Sequence, residues 1–137
     1  MKFTTALGCF LFLCLTLGCQ KSSTLAPDTL ENRVLVGKVT SGSGLFTGLE
    51  TYEFTTQFDA SRHFQSKTKS GSIESKGAYT YKKINKNSCV LILHPFSSSP
   101  AQELQITLKF TAPNTGVYEG HLLTGGQGEQ TGLFDLK

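Results

Sequence analysis

The sequence predicts an all-β domain, a small antiparallel up-and-down β-barrel of about eight strands, with a β-sandwich as the alternative packing. Three observations carry this expectation. After residue 30 no stretch sustains the i, i+3, i+4 apolar spacing of an amphipathic helix. Thr, Ser, Gly, Tyr, Phe and Val are abundant there, and turn signals recur every eight to twelve residues. The connections are also short, whereas a parallel crossover needs about a dozen residues or more. Eight consecutive antiparallel strands bury their edges by closing on themselves.

The strands follow in order. "RVLVGKVT" (33–40) is the first, closed by "SGSG" (41–44). "ETYEFTTQF" (50–58) alternates Tyr52, Phe54, Thr56 and Phe58 with more polar neighbours, which gives one buried and one wet face. "DASR" turns the chain into "HFQSKTK" (63–69), a polar run that reads as an edge strand. "KGAYTYKKI" (76–84) sets Tyr79 and Tyr81 opposite Ala78, Thr80 and Lys82. After the turn "NKNS", "CVLILHPF" (89–96) is apolar on both faces, as in a strand that is central or packed from two sides. "SSSPAQ" is a loop, because Pro100 lacks the N–H a ladder needs. "ELQITLKF" (103–110) alternates Leu104, Ile106, Leu108 and Phe110 inward with Gln105, Thr107 and Lys109 outward. "TAPNTG" then turns into "VYEGHLLT", and "GGQGEQ" into "TGLFDLK".

The amino end divides differently. Lys2 precedes a run without charge from Phe3 to Gln20, whose most apolar part, "ALGCFLFLCLTL", is twelve residues long. As a helix that part spans roughly 18 Å, short of the roughly 30 Å of bilayer hydrocarbon. A positive start, a short apolar core and a small residue, Gly18, are the parts of a secretory signal peptide. "TLGC" (16–19) resembles the bacterial lipobox, with Thr16 where leucine is most frequent. The resemblance implies cleavage before Cys19 and diacylglycerol and acyl (palmitate-type) chains on that cysteine, enough hydrocarbon for stable membrane attachment. Gln20 rather than Asp after the cysteine resembles the enterobacterial sorting pattern, and that resemblance implies the outer membrane. The expected organisation is a signal peptide (1–18), a lipidated cysteine with a flexible tether containing Pro27 (19–32), and the barrel domain (33–137).

The strand patterns "LVGKV", "YEFTTQFDASRHF", "KGAYTYKK" and "ITLKFTAPNTGVYEG", ending in "GEQTGLFDL", resemble small bacterial extracellular domains of the lipocalin-like, MoaF-like kind. They span nearly all of residues 33–136. The tryptophan of the usual lipocalin G-x-W signature has no counterpart, since the chain has no Trp. The resemblance implies a calycin-like barrel and, with it, a small-molecule carrier or sensor.

Chemistry is sparse. Cys9 and Cys14 leave with the signal and Cys19 carries lipid, so Cys89 is the one thiol of the domain. Set in the apolar run "SCVLIL", it reads as a small buried hydrophobe. His63, His94 and His121 lie on separate segments without metal-ligand spacing, so no metal and no cofactor is expected. There is no G-x-S-x-G elbow and no Walker lysine, and "TGGQGEQTG" reads as a hairpin turn. No catalytic residue is expected.

Seven basic residues (Arg62, Lys67, Lys69, Lys76, Lys82, Lys83, Lys86) face one acid, Glu74, between residues 62 and 86. They form a candidate contact for anionic lipid, polysaccharide or an envelope protein. Phe54, Phe58, Tyr79, Tyr81, Phe110 and Phe134 are the candidate cavity lining, with Tyr118 a further hydroxyl for a polar ligand. In a barrel of this size the same aromatics could fill the interior, and a filled interior is the favoured expectation. The chain is thus expected to be a lipid-anchored envelope lipoprotein with a non-catalytic interaction module. The alternative is a carrier or sensor of a small apolar ligand, and nucleic acid is not an expected partner.

Overall fold

A computed structural model of the chain describes residues 23–71, 74–97 and 102–137. The expected signal peptide (1–18) and Cys19 lie outside these residues. Eight strands, β1 (Val34–Gly44), β2 (Glu53–Phe58), β3 (His63–Thr68), β4 (Glu74–Asn85), β5 (Ser88–Pro95), β6 (Leu104–Ala112), β7 (Thr115–Leu122) and β8 (Gly128–Leu136), form one closed antiparallel barrel in sequence order. The β1–β8 ladder closes it, pairing Leu35 with Leu136 at one end and Gly44 with Gly128 at the other. The sandwich alternative is excluded.

Period-two alternation decides which side chains enter. Leu104, Ile106, Leu108 and Phe110 face inward with Leu91, Leu93, Tyr79 and Phe134, while Lys38, Gln57, Lys82, Lys109, Glu119 and Asp135 are out-facing. Charge outside and apolar side chains inside is the reverse of a transmembrane barrel, which presents an apolar band to lipid. "SGSG" is not a turn. A bulge between Val39 and Ser41 resets the register, and Ser41–Gly44 continue pairing with Gly128–Thr131. "CVLILHPF" is central rather than packed from two sides: β5 pairs with both β4 and β6, and out-facing Val90 and Ile92 are half-buried on a wall with no second layer among the described residues. Nor is β3 an edge, since it pairs with both β2 and β4.

The lower end, where β1 begins and β8 finishes, is solid. Phe58 meets Tyr79 edge-on with ring centroids 4.8 Å apart, and Phe110 meets Phe134 at 5.0 Å. Leu35, Cys89, Leu91, Leu108 and Leu136 fill the space between them. Higher up, two rings lie close against strand glycines. A Cβ on Gly37 would overlap the Phe54 ring, and one on Gly132 would overlap the Tyr118 ring, so a larger residue at either position displaces an aromatic. Phe54 and Tyr118 then meet edge-on at 5.7 Å.

The expected tether at 19–32 is corrected over its second half. Leu25 and Ala26 donate their amides to the Lys86 carbonyl at 2.8 and 2.9 Å, and Tyr81 donates its hydroxyl to the Pro27 carbonyl. Lys83 pairs with Asp28 at 2.6 Å. Ala26 and Leu30 are buried in the core, Leu30 completely. The segment is held because a barrel end left open would expose the leucines and aromatics of the lower half, and Leu25, Ala26 and Leu30 cover them. Leu30→Ala is therefore expected to lower stability by about 2–5 kcal/mol in urea unfolding. A flexible tether would give a change within about 0.5 kcal/mol.

Candidate functional site

The upper half of the barrel is hollow. A cup of about 260 Å³ opens there, lined by Val39, Thr56, Phe64 and Ile106 toward its floor and by residues of every strand except β1's upper ribbon on its walls. Its volume is just below the roughly 300–1,000 Å³ of drug-sized ligand pockets. The hollow arises where in-facing side chains are short. Thr56, Ser66 and Ser75 stand directly opposite one another across β2, β3 and β4, one hydroxyl-bearing residue per strand where the lower half has rings. Thr56 is buried and donates to the Ser66 hydroxyl at 2.9 Å.

The facing wall is apolar. Leu93, Leu104, Ile106 and Leu122 line it from β5, β6 and β7. Between the two walls stands Gln130 of β8, 8 % exposed, with its side chain laid across Gly120. Its amide makes no hydrogen bond to any described residue, although it lines the cup. Two donor hydrogens and a carbonyl oxygen are thus held within a mostly apolar hollow.

The β1–β2 connection folds over the mouth. Phe46, Leu49 and Tyr52 reach the cup from residues 45–52. The loop holds its own shape: Leu49 N donates to Phe46 O at 3.3 Å and Tyr52 N to Leu49 O at 2.9 Å, and Val39 exchanges backbone bonds with Thr51 and Tyr52. Gln102, from the β5–β6 connection, donates to the Gly125 carbonyl at 3.3 Å on the rim.

The expected filled interior is corrected to a half-filled one, and the expected lining changes with it. Of Phe54, Phe58, Tyr79, Tyr81, Phe110 and Phe134, Phe54 alone lines the cup. The other five are long enough to reach the barrel axis and pack against one another, and so they create core rather than cavity. The hydroxyls of Tyr79, Tyr81 and Tyr118 do not serve the cup either. Tyr79 donates to the Asp59 carbonyl at 3.4 Å, Tyr81 to Pro27, and the Tyr118 hydroxyl is buried with no partner among the described residues. Burial pushes the Tyr81 and Tyr118 hydroxyls well above the ordinary phenol range.

The seven basic residues do not form one patch. Lys67, Lys69 and Lys76 lie at the upper end, Arg62, Lys82, Lys83 and Lys86 toward the lower. Lys69 pairs with Glu53 at 2.9 Å, Lys76 with Glu74 at 3.2 Å, and Lys83 with Asp28. The hydrogen bond from Lys69, with its charge, holds the Glu53 carboxyl below the usual range, and Lys76 acts likewise on Glu74.

The three histidines stay apart. His63 stacks edge-on against Phe96, an exposed ring, and His94 bonds Glu103 at 2.8 Å. No group of three metal-ligating side chains occurs among the described residues. A larger hollow of about 610 Å³, which includes Arg33, Asp59, His63 and Phe96, is an open groove on the outer wall rather than part of the interior.

Comparison with family models, with curated proteins and with solved structures gives no match, so the functional argument rests on the geometry of the cup.

Cys89 is completely buried, and burial pushes its thiol up to about 11, with the Tyr81 hydroxyl and Lys83 pulling weakly the other way. The thiolate is the reactive form, so at pH 8 almost none is present in the folded chain. In residues 19–137 carrying Cys19→Ala, alkylation of Cys89 by iodoacetamide at pH 8 is expected only after unfolding in urea. Fast labelling of the folded protein would contradict this burial.

Proposed function

We propose that this chain is a lipid-anchored envelope lipoprotein whose barrel carries or senses a small ligand. The cup is the observation that favours the carrier reading over a purely structural module. A filled interior would have left only the outer surface for function, whereas an eight-stranded barrel with a hollow of about 260 Å³ holds one small molecule. The mouth loop with Phe46, Leu49 and Tyr52 supplies apolar contacts that cover such a molecule. The resemblance of the strand patterns to lipocalin-like domains points the same way.

Lipid on Cys19 would also orient the cup. Five residues separate Cys19 from Leu25, at most about 22 Å of extended chain between the two Cα atoms. Leu25 is fixed to the Lys86 carbonyl at the solid end of the barrel. An anchor of that length holds the solid end toward the bilayer and turns the mouth to the aqueous side. Arg62, Lys82 and Lys86 then stand on the membrane side, where anionic headgroups are within their reach. The ligand enters from water rather than from the bilayer.

The test joins anchor and cup. Cys19→Ala is expected to move the protein from the membrane to the soluble fraction, and continued sedimentation with membranes would count against lipid at that residue. Native mass spectrometry of this soluble form, after exposure to an extract of the producing cells, is expected to show a one-to-one adduct. Ser66→Phe, which fills the cup, should abolish it while the circular dichroism spectrum stays unchanged. An adduct that survives Ser66→Phe would place the ligand elsewhere.

A further inference from the structure

The chemistry of the cup restricts what it can hold. Among its described lining residues, no in-facing side chain is a carboxylate, imidazole, ammonium or guanidinium. Lys67 touches it from an out-facing position on β3 and is exposed. A charged group moved into the cup would lose its hydration with no opposite charge to replace it, which is strongly unfavourable. An entirely apolar molecule would fit the Leu93, Leu104, Ile106 and Leu122 wall. It would, however, leave the buried Gln130 amide without a partner and cover the hydroxyls of the opposite wall.

Gln130 is the group that discriminates. It is more than nine-tenths buried, it lines the cup, and it forms no hydrogen bond with a described residue. Its position is built rather than incidental. Gly120, directly opposite on β7, leaves the space its side chain crosses, and a methyl group there would press on its Cγ at 3.2 Å and its Nε2 at 3.4 Å. A carboxamide both donates and accepts at adjacent atoms, so its best neutral complement is a group that does the same, such as another amide or a lactam.

Resting on the ligand-binding reading above, we infer that the cup selects an uncharged amphiphile, with its apolar body against the β5–β7 leucines and its neutral hydrogen-bonding head against Gln130. Gln130 is then the specificity-determining residue. The hydroxyl row of Thr56, Ser66 and Ser75 supplies further partners along one edge of the ligand. Anionic fatty acids and cationic amines are excluded by the same chemistry.

Four probes of one size test this: benzamide, benzoate, benzylamine and toluene, each titrated at pH 7 into the Cys19→Ala mature chain. Binding is followed by the NMR shifts of the Gln130 side-chain amide and the Leu104 and Leu122 methyls. Benzamide is expected to bind best and to shift the Gln130 amide, with benzoate and benzylamine at least about tenfold weaker. Gln130→Met should bring benzamide down to the affinity of toluene while toluene binding persists. Equal binding of benzoate and benzamide, or benzamide affinity unchanged by Gln130→Met, would overturn the inference and leave the ligand-binding reading intact. No shift at the cup with any probe would overturn that reading itself. Should Gln130→Met fail to fold, the comparison of charged and neutral probes on the unsubstituted residue decides alone.

Discussion

Closure of the sheet by the β1–β8 ladder fixes a single interior of limited volume, and every other property of the fold depends on how that interior is shared. Eight strands leave room that side chains can fill or that one small molecule can occupy. Here the interior is divided along its axis. Rings and leucines fill the lower half, while threonine and serine leave the upper half open. Hydrophobic burial below supplies the stability, which frees the upper half from having to be packed. The segment from Leu25 to Leu30 completes the arrangement by covering the solid end, where Leu30 alone is buried as fully as any residue of the strands.

Much of this was readable from the residues because period-two alternation has one meaning in a closed barrel. "ELQITLKF" announced its inward face without ambiguity, and the tyrosines of β4 fell on the expected side. The cup was harder to read because it is made by absence. The polar run "HFQSKTK" suggested an edge strand, yet its in-facing Ser66 and Thr68 are polar because they face a hollow. The readable clue was short hydroxyl residues at in-facing positions of three successive strands, Thr56, Ser66 and Ser75, but their alignment depends on a register that only the folded ladder fixes. The aromatics misled for the complementary reason. A ring that reaches the barrel axis occupies the space it was expected to surround.

The amino-terminal segment carried a similar ambiguity. "TLAPDTL" has the polarity and the proline of a linker, and its leucines are too few to announce a packed element. Its order comes from partners distant in sequence: the Lys86 carbonyl, the Tyr81 hydroxyl and the Lys83 ammonium. Pinning the chain there shortens the reach from Cys19 and turns the proposed anchor from a loose leash into a mount with a preferred orientation. Under the proposed carrier or sensor reading, such a mount keeps the open end presented to solvent.

The central claim, a barrel solid below and open above, is tested most directly by relaxation of methyl NMR signals with a small neutral nitroxide dissolved in the buffer. The methyls of Leu104 and Leu122, on the wall of the cup, should relax faster as nitroxide is added, while those of Leu35, Leu91 and Leu108 should be unaffected. Equal protection of both sets would mean that the upper half is closed to solutes, and the cup with its ligand would have to be abandoned.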